Sequence, residues 1–246
     1  MVRVMGRLRA PDGCPWDREQ THTSLRRALL EEAHEVLEAI DAGDGDRLRD
    51  ELGDLLLQVV FHAQIEEDQG GFTIDDVARD LVAKLVRRHP HVFGDVEAET
   101  PEAVVRNWDL IKQEEKGPHG VEEDIPPSLP ALLRAYKVQR RAASRGFDWD
   151  SVEPAMEKVH EEIEELERAE TPEEVERELG DLLFATVAVA RKRGVDAESA
   201  LRGSTRRFAE RFESLASWAE REGVDLAGLP DEELLRRFRE LRGSSG

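Results

Sequence analysis

Apolar residues recur at every third or fourth position through much of the chain, which is the spacing of an amphipathic α-helix. The first stripe, which includes Leu25 and Val36, predicts a helix over residues 24–42, and a second stripe predicts a helix over residues 47–68. The glycine-containing segment 43–45 lies between them and predicts a short turn. The two helices are therefore expected to fold back on each other as an antiparallel hairpin.

The second half of the chain repeats this pattern. Residues 171–174, Thr-Pro-Glu-Glu, have the form of a capping box with proline at the first helical position, and they predict a helix through Ala190. Ser151 is expected to cap the preceding helix. Further helices are predicted over residues 73–88, 100–117, 130–145 and 197–222, and after Pro230. No segment alternates apolar and polar residues as a half-buried strand does, so we expect an all-α fold.

A sequence repeat links the two hairpins. The motif EExxE occupies residues 31–35 and 161–165, and the motif ELGDLL occupies residues 51–56 and 178–183. Residues three or four positions apart share one face of a helix, so the acids of each motif lie together. The two motifs lie at similar distances from the turn that joins their helices. Each hairpin is therefore expected to bring two groups of carboxylates face to face.

Such a group of carboxylates is unfavourable because like charges a few ångströms apart repel one another. A divalent cation relieves this repulsion, and ligands that are all oxygen favour Mg²⁺, Mn²⁺ or Ca²⁺ over zinc. The alternative is an acidic helix face in contact with solvent. Two features favour the metal: the spacing recurs in two diverged segments, and the acids of the second motif are embedded in an apolar helix.

Residues 116–130 interrupt the helical pattern with four prolines and two glycines. This composition is typical of a linker between domains. We therefore predict an N-terminal domain over residues 1–117, a linker over residues 118–129 and a C-terminal domain over residues 130–246.

The formal net charge is −20, which argues against non-specific binding to a nucleic-acid polymer or to an anionic membrane surface. It permits an anionic small substrate, provided that metal ions supply positive charge. The single cysteine, Cys14, excludes an internal disulfide, and we expect neither a signal peptide nor a membrane span. These features are typical of a cytoplasmic protein.

Several further blocks, which occur in the same order, resemble the MazG family of nucleoside triphosphate pyrophosphohydrolases. They are CPWDxxQTHxSL (residues 14–25), KLVRRHPHVFGD (84–95), NWDLIKQEEK (107–116), PALLRAYKVQRRAASRGFDW (130–149) and RRFAERF (206–212). The resemblance covers nearly the whole chain. It implies tandem all-α domains that form four-helix cores by homodimerisation. It also implies Mg²⁺-dependent hydrolysis of an NTP or dNTP to the monophosphate and pyrophosphate.

The resemblance implies roles for individual residues as well. The implied metal ligands are Glu162, Glu165, Glu178 and Asp181 in the C-terminal unit, and Glu32, Glu35, Glu51 and Asp54 in the N-terminal unit. The implied nucleotide contacts are Lys158, Glu161, Arg207 and Arg211. The resemblance favours the C-terminal unit as the main catalyst.

The first glutamate of each EExxE motif, Glu161 or Glu31, is offset from the implied ligands. We interpret it as the base that orients the attacking water. The basic end of the helix over residues 73–88 carries Lys84 and Arg88, which either complement the helix dipole or contact a phosphate.

Two other functions remain open at this point. A non-catalytic helical interaction module would use the acids for solubility and the basic clusters to dock a partner. A di-iron oxidase would use Glu31 and His34 as one ExxH motif, but the second repeat has Glu164 in place of the histidine.

Overall fold

The computed structural model describes residues 1–116 and 120–240, and this part of the chain contains helices and no strand. Within it, twelve α-helices, α1 to α12, span Val2–Arg9, Pro15–Glu19, Arg26–Ala42, Gly45–Asp68, Ile74–Arg88, Pro90–Phe93, Pro101–Lys116, Ala131–Ala143, Glu153–Arg168, Pro172–Lys192, Ala197–Glu222 and Asp231–Glu240. A short 3₁₀ helix at Leu226–Gly228 precedes α12. The prediction of an all-α fold is confirmed.

The helices form two compact units, which we call unit 1 (Met1–Lys112) and unit 2 (Gln113–Gly246). The predicted boundary between the N-terminal domain and the linker, at residues 117 and 118, lies outside the described residues. Residues 241–246 of the predicted C-terminal domain lie outside them as well. The predicted domain and linker bounds therefore stay a prediction.

Unit 1 is built on the hairpin of α3 and α4, which pack along each other. Gly43 follows α3 with a φ of 67°, a left-handed conformation that favours glycine, and its N–H is bonded to the last turn of α3. Asp44 then caps α4, because its side chain accepts the N–H groups of Asp46 and Arg47. The chain thus reverses direction within two residues, as the sequence predicts.

The core of unit 1 lies at the other end of α4, where α1 closes it. Met5, Leu25 and Phe61 are buried there with Val60 and Ile65. The side chain of Arg9, at the end of α1, is 8% exposed, and its guanidinium is paired with Asp68 at 2.6 Å and lies over the ring of Phe61. The short helices α1 and α2 are not predicted by the apolar pattern, since they have only eight and five residues.

Unit 2 is built on the hairpin of α9 and α10, with α8 packed against α10. The predicted capping box is confirmed: Thr171 accepts the N–H of Glu174, whose carboxylate accepts the N–H of Thr171. The predicted cap at Ser151 is wrong, because α9 begins after Val152 and no side chain caps it. Gln139 of α8 donates a 2.7 Å hydrogen bond to the carbonyl of Phe184, which fixes α8 on α10.

The helices of the described residues are too short or too polar to cross a lipid bilayer.

Candidate active site

Three acids of unit 2 converge across the α9–α10 hairpin. Glu162 of α9 and Glu178 and Asp181 of α10 each place one carboxylate oxygen so that the three oxygens lie within 4.8 Å of one another. Glu162 is only 3% exposed and Glu178 8%, whereas Asp181 is exposed. A pair of buried carboxylates this close together requires positive charge between or beside them. We call Glu162, Glu178 and Asp181 the unit 2 triad.

The two oxygens of Glu162 have different surroundings. Oε1 accepts a charge-assisted contact from Nζ of Lys158 at 2.5 Å, one helical turn earlier on α9. Oε2 is buried and has no hydrogen-bond partner within residues 1–116 and 120–240. An unpaired buried carboxylate oxygen carries a desolvation cost that a bound cation would remove. The triad therefore offers a cation a set of ligands made of oxygen alone.

Two basic side chains partly neutralise the unit 2 triad. Lys158 contacts both Glu162 and Oε1 of Glu161, the latter at 2.9 Å, and the hydrogen bonds to these two acids raise the pKa of Lys158 well above its usual range. Arg177 donates from Nε and Nη2 to Oε1 of Glu178, at 3.1 Å and 2.5 Å. Each buried acid of the triad thus has one basic partner.

A cavity of about 500 Å³ opens beside the triad. Glu178 and Asp181 line it, and so does Glu165, which the structure leaves outside the close triad. The remaining lining residues are Arg168, Ala169, Glu174 and Arg177. The cavity thus combines carboxylates with two guanidinium groups, a mixture that suits a phosphate-bearing ligand carried with a cation.

Unit 1 contains a second triad in the matching place. Glu32 and Glu35 of α3 and Glu51 of α4 bring one oxygen each within 4.8 Å of the others. Glu32 and Glu51 are half-buried and Glu35 is exposed. Asp54 is exposed and lies outside the close triad, but its charge acts on Glu32. Burial first, and then the charges of Asp54, Glu35 and Glu51, raise the pKa of Glu32.

The glutamates interpreted as catalytic bases lie beside the triads and outside them. Glu161 and Glu31 have side chains 57% and 52% exposed. Each is paired with a basic residue one turn earlier: Glu161 with Lys158, and Glu31 with Arg27 at 2.7 Å. This placement agrees with the offset that the motif predicts, and the catalytic role itself stays a prediction.

The residues predicted to contact phosphate are not among those that line the described cavity. Arg207 is exposed and Arg211 half-buried on α11, and neither is among the described residues that line the cavity. Lys84 is exposed on α5, whereas the guanidinium of Arg88 lies 5.5 Å from the centre of the Trp108 ring. The assignment of these four residues to substrate binding stays a prediction.

Known proteins resemble the chain over nearly its whole length. It is 47% identical to the nucleoside triphosphate pyrophosphohydrolase/pyrophosphatase MazG of Thermotoga maritima, over 99% of this chain and 94% of the relative. It is 43% identical to the nucleoside triphosphate pyrophosphohydrolase of Escherichia coli K12, over 98% of this chain and 95% of the relative.

The chain belongs to the MazG family.

The two MazG-like hairpins match different family descriptions. Residues 20–93 match the MazG nucleotide pyrophosphohydrolase domain, and this range includes the whole triad of unit 1. Residues 139–207 match phosphoribosyl-ATP pyrophosphohydrolase, and this range includes the triad of unit 2 together with Lys158 and Arg177. The two matched ranges thus include both copies of EExxE and of ELGDLL.

Arg177 and Arg168 are the basic cavity residues of this MazG-family chain that sequence reasoning missed. Neither belongs to EExxE or ELGDLL, and both lie in a stretch where charged residues are frequent. The available signal was position: Arg177 directly precedes Glu178, and Arg168 ends the helix that carries Glu165.

Proposed function

We propose that this chain is a Mg²⁺-dependent nucleoside triphosphate pyrophosphohydrolase that converts an NTP or dNTP and water to the monophosphate and pyrophosphate. The observation that carries this proposal is the unit 2 triad, in which buried carboxylates meet and one oxygen of Glu162 finds no partner within the described part of the chain. The relatives named as nucleoside triphosphate pyrophosphohydrolases support the same reaction.

The ligands of the triads fit a hard divalent cation. All are carboxylate oxygens, which suit Mg²⁺ and also Mn²⁺, and the histidine that a di-iron site would need, His34, is in neither triad. When bound, Mg²⁺ supplies positive charge to phosphate oxygens and lowers the pKa of a water molecule in the site. The carboxylate-only set therefore favours hydrolysis over oxygen chemistry.

The chain's own residues supply position and proton transfer. Glu161 accepts a 2.9 Å contact from Lys158 and lies next to Glu162 of the triad along α9, so it is placed to accept a proton from the attacking water. Lys158 contacts both Glu161 and Glu162, and it holds the base and a ligand in a fixed relation. We assign phosphate binding to Arg207 and Arg211, since the planar guanidinium suits bidentate contact with phosphate oxygens.

Burial supports unit 2 as the main catalyst. Its triad has two buried members, whereas the triad of unit 1 is half-buried or exposed throughout. Charges interact more strongly where water is excluded, so the same carboxylates have a larger effect in unit 2. We assign unit 1 a partly structural role with its own capacity to bind metal.

The exposed leucines support a homodimer. Leu52 and Leu56 of unit 1 are 49% and 51% exposed, and the residues at matching positions of unit 2, Leu179 and Leu183, are 45% and 48% exposed. These leucines belong to the ELGDLL motifs and so adjoin the acids. A second copy of the chain would cover them and exclude water from the triads.

Pyrophosphate release measured on a panel of ribo- and deoxyribonucleoside triphosphates, with and without a chelator, tests the proposal. We expect release that requires Mg²⁺, with Mn²⁺ as a substitute, and equal amounts of monophosphate and pyrophosphate. Absence of release for every nucleotide, in a protein that binds Mn²⁺ by calorimetry, would leave the interaction module as the better account.

A further inference from the structure

Arg177 is the least expected member of the site. Its guanidinium contacts a single oxygen of Glu178, from Nε at 3.1 Å and from Nη2 at 2.5 Å. The two side chains differ in freedom, because that of Arg177 is 63% exposed and that of Glu178 only 10%. Arg177 can therefore leave this contact by rotating into solvent or into the cavity, whereas Glu178 must stay in place.

Arg177 lies among acids, so its position depends on the charge of the site. The guanidinium pairs with Glu178, and Arg177 lies on α10 three residues after Glu174 and four residues before Asp181. The guanidinium lines the cavity together with these three acids. It is thus the side chain that compensates the α10 side of the triad, just as Lys158 compensates Glu162 on the α9 side.

This compensation is a property of unit 2 and not of the repeated motif. The position of unit 1 that matches Arg177 is Asp50, and the position that matches Lys158 is Ala28. In unit 1 the basic contact to Glu51 comes from Arg47, four residues earlier, which also pairs with Glu38 across the hairpin. The hairpin of unit 1 therefore forms without a basic residue at the place of Arg177.

We infer that Arg177 is a positioning residue with two alternative partners: it neutralises Glu178 while the triad holds no metal ion, and it turns into the cavity to bind the triphosphate once Glu178 ligates a metal. This inference rests on the proposed function of the same site. The unpaired Oε2 of the buried Glu162 marks the place that a metal ion would fill, among residues that the structure describes.

If Arg177 exchanges partners in this way, metal binding and nucleotide binding are coupled. Without nucleotide, a metal ion held by Oε1 of Glu178 would compete with Arg177 for that oxygen, so metal binding would be weakened by the strength of the ion pair. With nucleotide, the displaced guanidinium gains the phosphate oxygens as a new partner. The nucleotide should therefore strengthen metal binding, and the metal should strengthen nucleotide binding by the same factor.

Calorimetric titration of the full chain with Mn²⁺ tests this inference. Every protein carries Glu32→Gln and Glu51→Gln, so that the titration reports on unit 2. Four chains are compared: the parent, Arg177→Gln, Arg177→Lys and Arg168→Gln. Arg168 is the matched control, because it lines the same cavity but pairs with the exposed Glu164. Each titration is repeated with a nucleotide whose α–β bridging oxygen is replaced by an imido group.

We expect Arg177→Gln to bind Mn²⁺ alone about three- to tenfold more tightly than the parent, as removal of one exposed competing ion pair allows. The gain in Mn²⁺ affinity on adding the nucleotide analogue should shrink by a similar factor. Arg177→Lys should behave more like the parent. Arg168→Gln should match the parent in Mn²⁺ affinity without nucleotide, because Arg168 pairs with Glu164 and not with a triad acid. A thermal melt checks that all four chains fold equally.

Equal Mn²⁺ affinities for Arg177→Gln and the parent, with and without the analogue, would overturn the inference. So would a parent chain that binds no Mn²⁺ at unit 2. The first of these results is separable from failure of the proposed function. A chain that shows the Arg177 effect on Mn²⁺ but releases no pyrophosphate would retain the inference about metal binding and lose the reaction.

Discussion

Nζ of Lys158 lies 2.5 Å from Oε1 of Glu162, and both residues lie on the same face of α9, one helical turn apart. Lys158 is a proposed nucleotide contact, and Glu162 is a proposed metal ligand. Because the other oxygen of Glu162 is unpaired in the described chain, the pair leaves one side of the carboxylate for a cation. The spacing of Lys158 and Glu162 on α9 thus places a nucleotide contact next to a metal ligand in the proposed site.

The two units should contribute unequally to catalysis. Glu162→Gln with Asp181→Asn removes two ligands of the more buried triad, and we expect kcat/KM to fall by at least about 100-fold, the scale of losing a charge-stabilising group. Glu32→Gln with Glu51→Gln alters the more exposed triad and should reduce kcat/KM by less than about tenfold. Pyrophosphate release by each full-length variant measures the difference. The reverse order of effects would assign catalysis to unit 1.

Asp148 should stabilise unit 2. Its carboxylate bonds to Arg191 at 2.5 Å and 3.0 Å and to Lys192 at 2.8 Å, and both basic side chains are at least 85% buried. Asp148→Asn leaves their charges without compensation, so we expect the free energy of unfolding to fall by about 1–3 kcal/mol in urea titrations. Glu164→Gln, which breaks an exposed pair with Arg168, is the control and should change it by less than about 0.5 kcal/mol.

The contacts of Asp148 with Arg191 and Lys192 also predict that the free energy of unfolding falls in acid. The hydrogen bonds from Arg191, followed by those from Lys192, hold the pKa of Asp148 well below its usual range. Its stabilising contribution is therefore complete above about pH 4, the unfolded value for an aspartate, and is lost as the pH falls toward the folded value. An Asp148→Asn defect that is equally large at neutral pH and below the folded pKa would contradict this account.

His62 should make unit 1 less stable in mild acid. Its Nδ1 lies 2.7 Å from Nδ1 of His22, whose Nε2 lies 2.9 Å from Glu66. Burial, and then the charge of His22, lower the pKa of His62. Its neutral form is thus favoured in the folded state, so its contribution is present above about pH 6.5 and is lost as the pH falls through the lowered folded pKa.

Urea titrations at about pH 7.5 and about pH 5.5 measure this effect. The wild-type chain should lose more stability between these values than His62→Gln does, whereas His160→Gln should show the wild-type loss. His160 is a suitable control because its ring is bonded to the carbonyl of Met156 on the exposed side of α9. Identical pH dependence in wild type and His62→Gln would refute the role of the His22–His62 contact.

The exposed leucines of ELGDLL should govern assembly. Leu183→Glu places a charge on an apolar position that is 48% exposed in the single chain, so burial of this face against a second copy becomes costly. We expect a dimer to dissociate to monomers, as measured by light scattering during size-exclusion chromatography. Val4→Glu changes an exposed apolar residue of α1 and should leave the dimer intact. A wild-type chain that is monomeric at every concentration would disprove the dimer.

The sequence was sufficient to predict the hairpins, because their signals are local. The apolar stripes give α3 and α4, and the capping box at Thr171 begins α10 as predicted. The grouping of acids across each hairpin also follows from spacing alone. The short helices α1 and α2 did not follow, because one or two turns carry too few residues to show a helical period.

The motifs do not predict which three acids form each triad. Both units have the same four acidic positions, yet the close group includes Glu35 in unit 1 and Asp181 in unit 2. Asp54 and Glu165 lie outside these groups. Which acid approaches depends on side-chain rotamers and on nearby basic residues such as Arg47 and Arg177, and a repeat of spacing does not encode these details.

Asp181→Asn tests the proposed metal site of unit 2 most sharply, through the Mg²⁺ dependence of its pyrophosphate release. Asp181 is exposed, so the substitution spares the fold, and Glu176→Gln, another exposed acid of α10, is the matched control. We predict that Asp181→Asn requires more Mg²⁺ and loses at least about 100-fold in turnover, whereas Glu176→Gln retains wild-type turnover. Wild-type turnover and Mg²⁺ dependence in Asp181→Asn, in a chain that also carries Glu32→Gln and Glu51→Gln, would contradict the account.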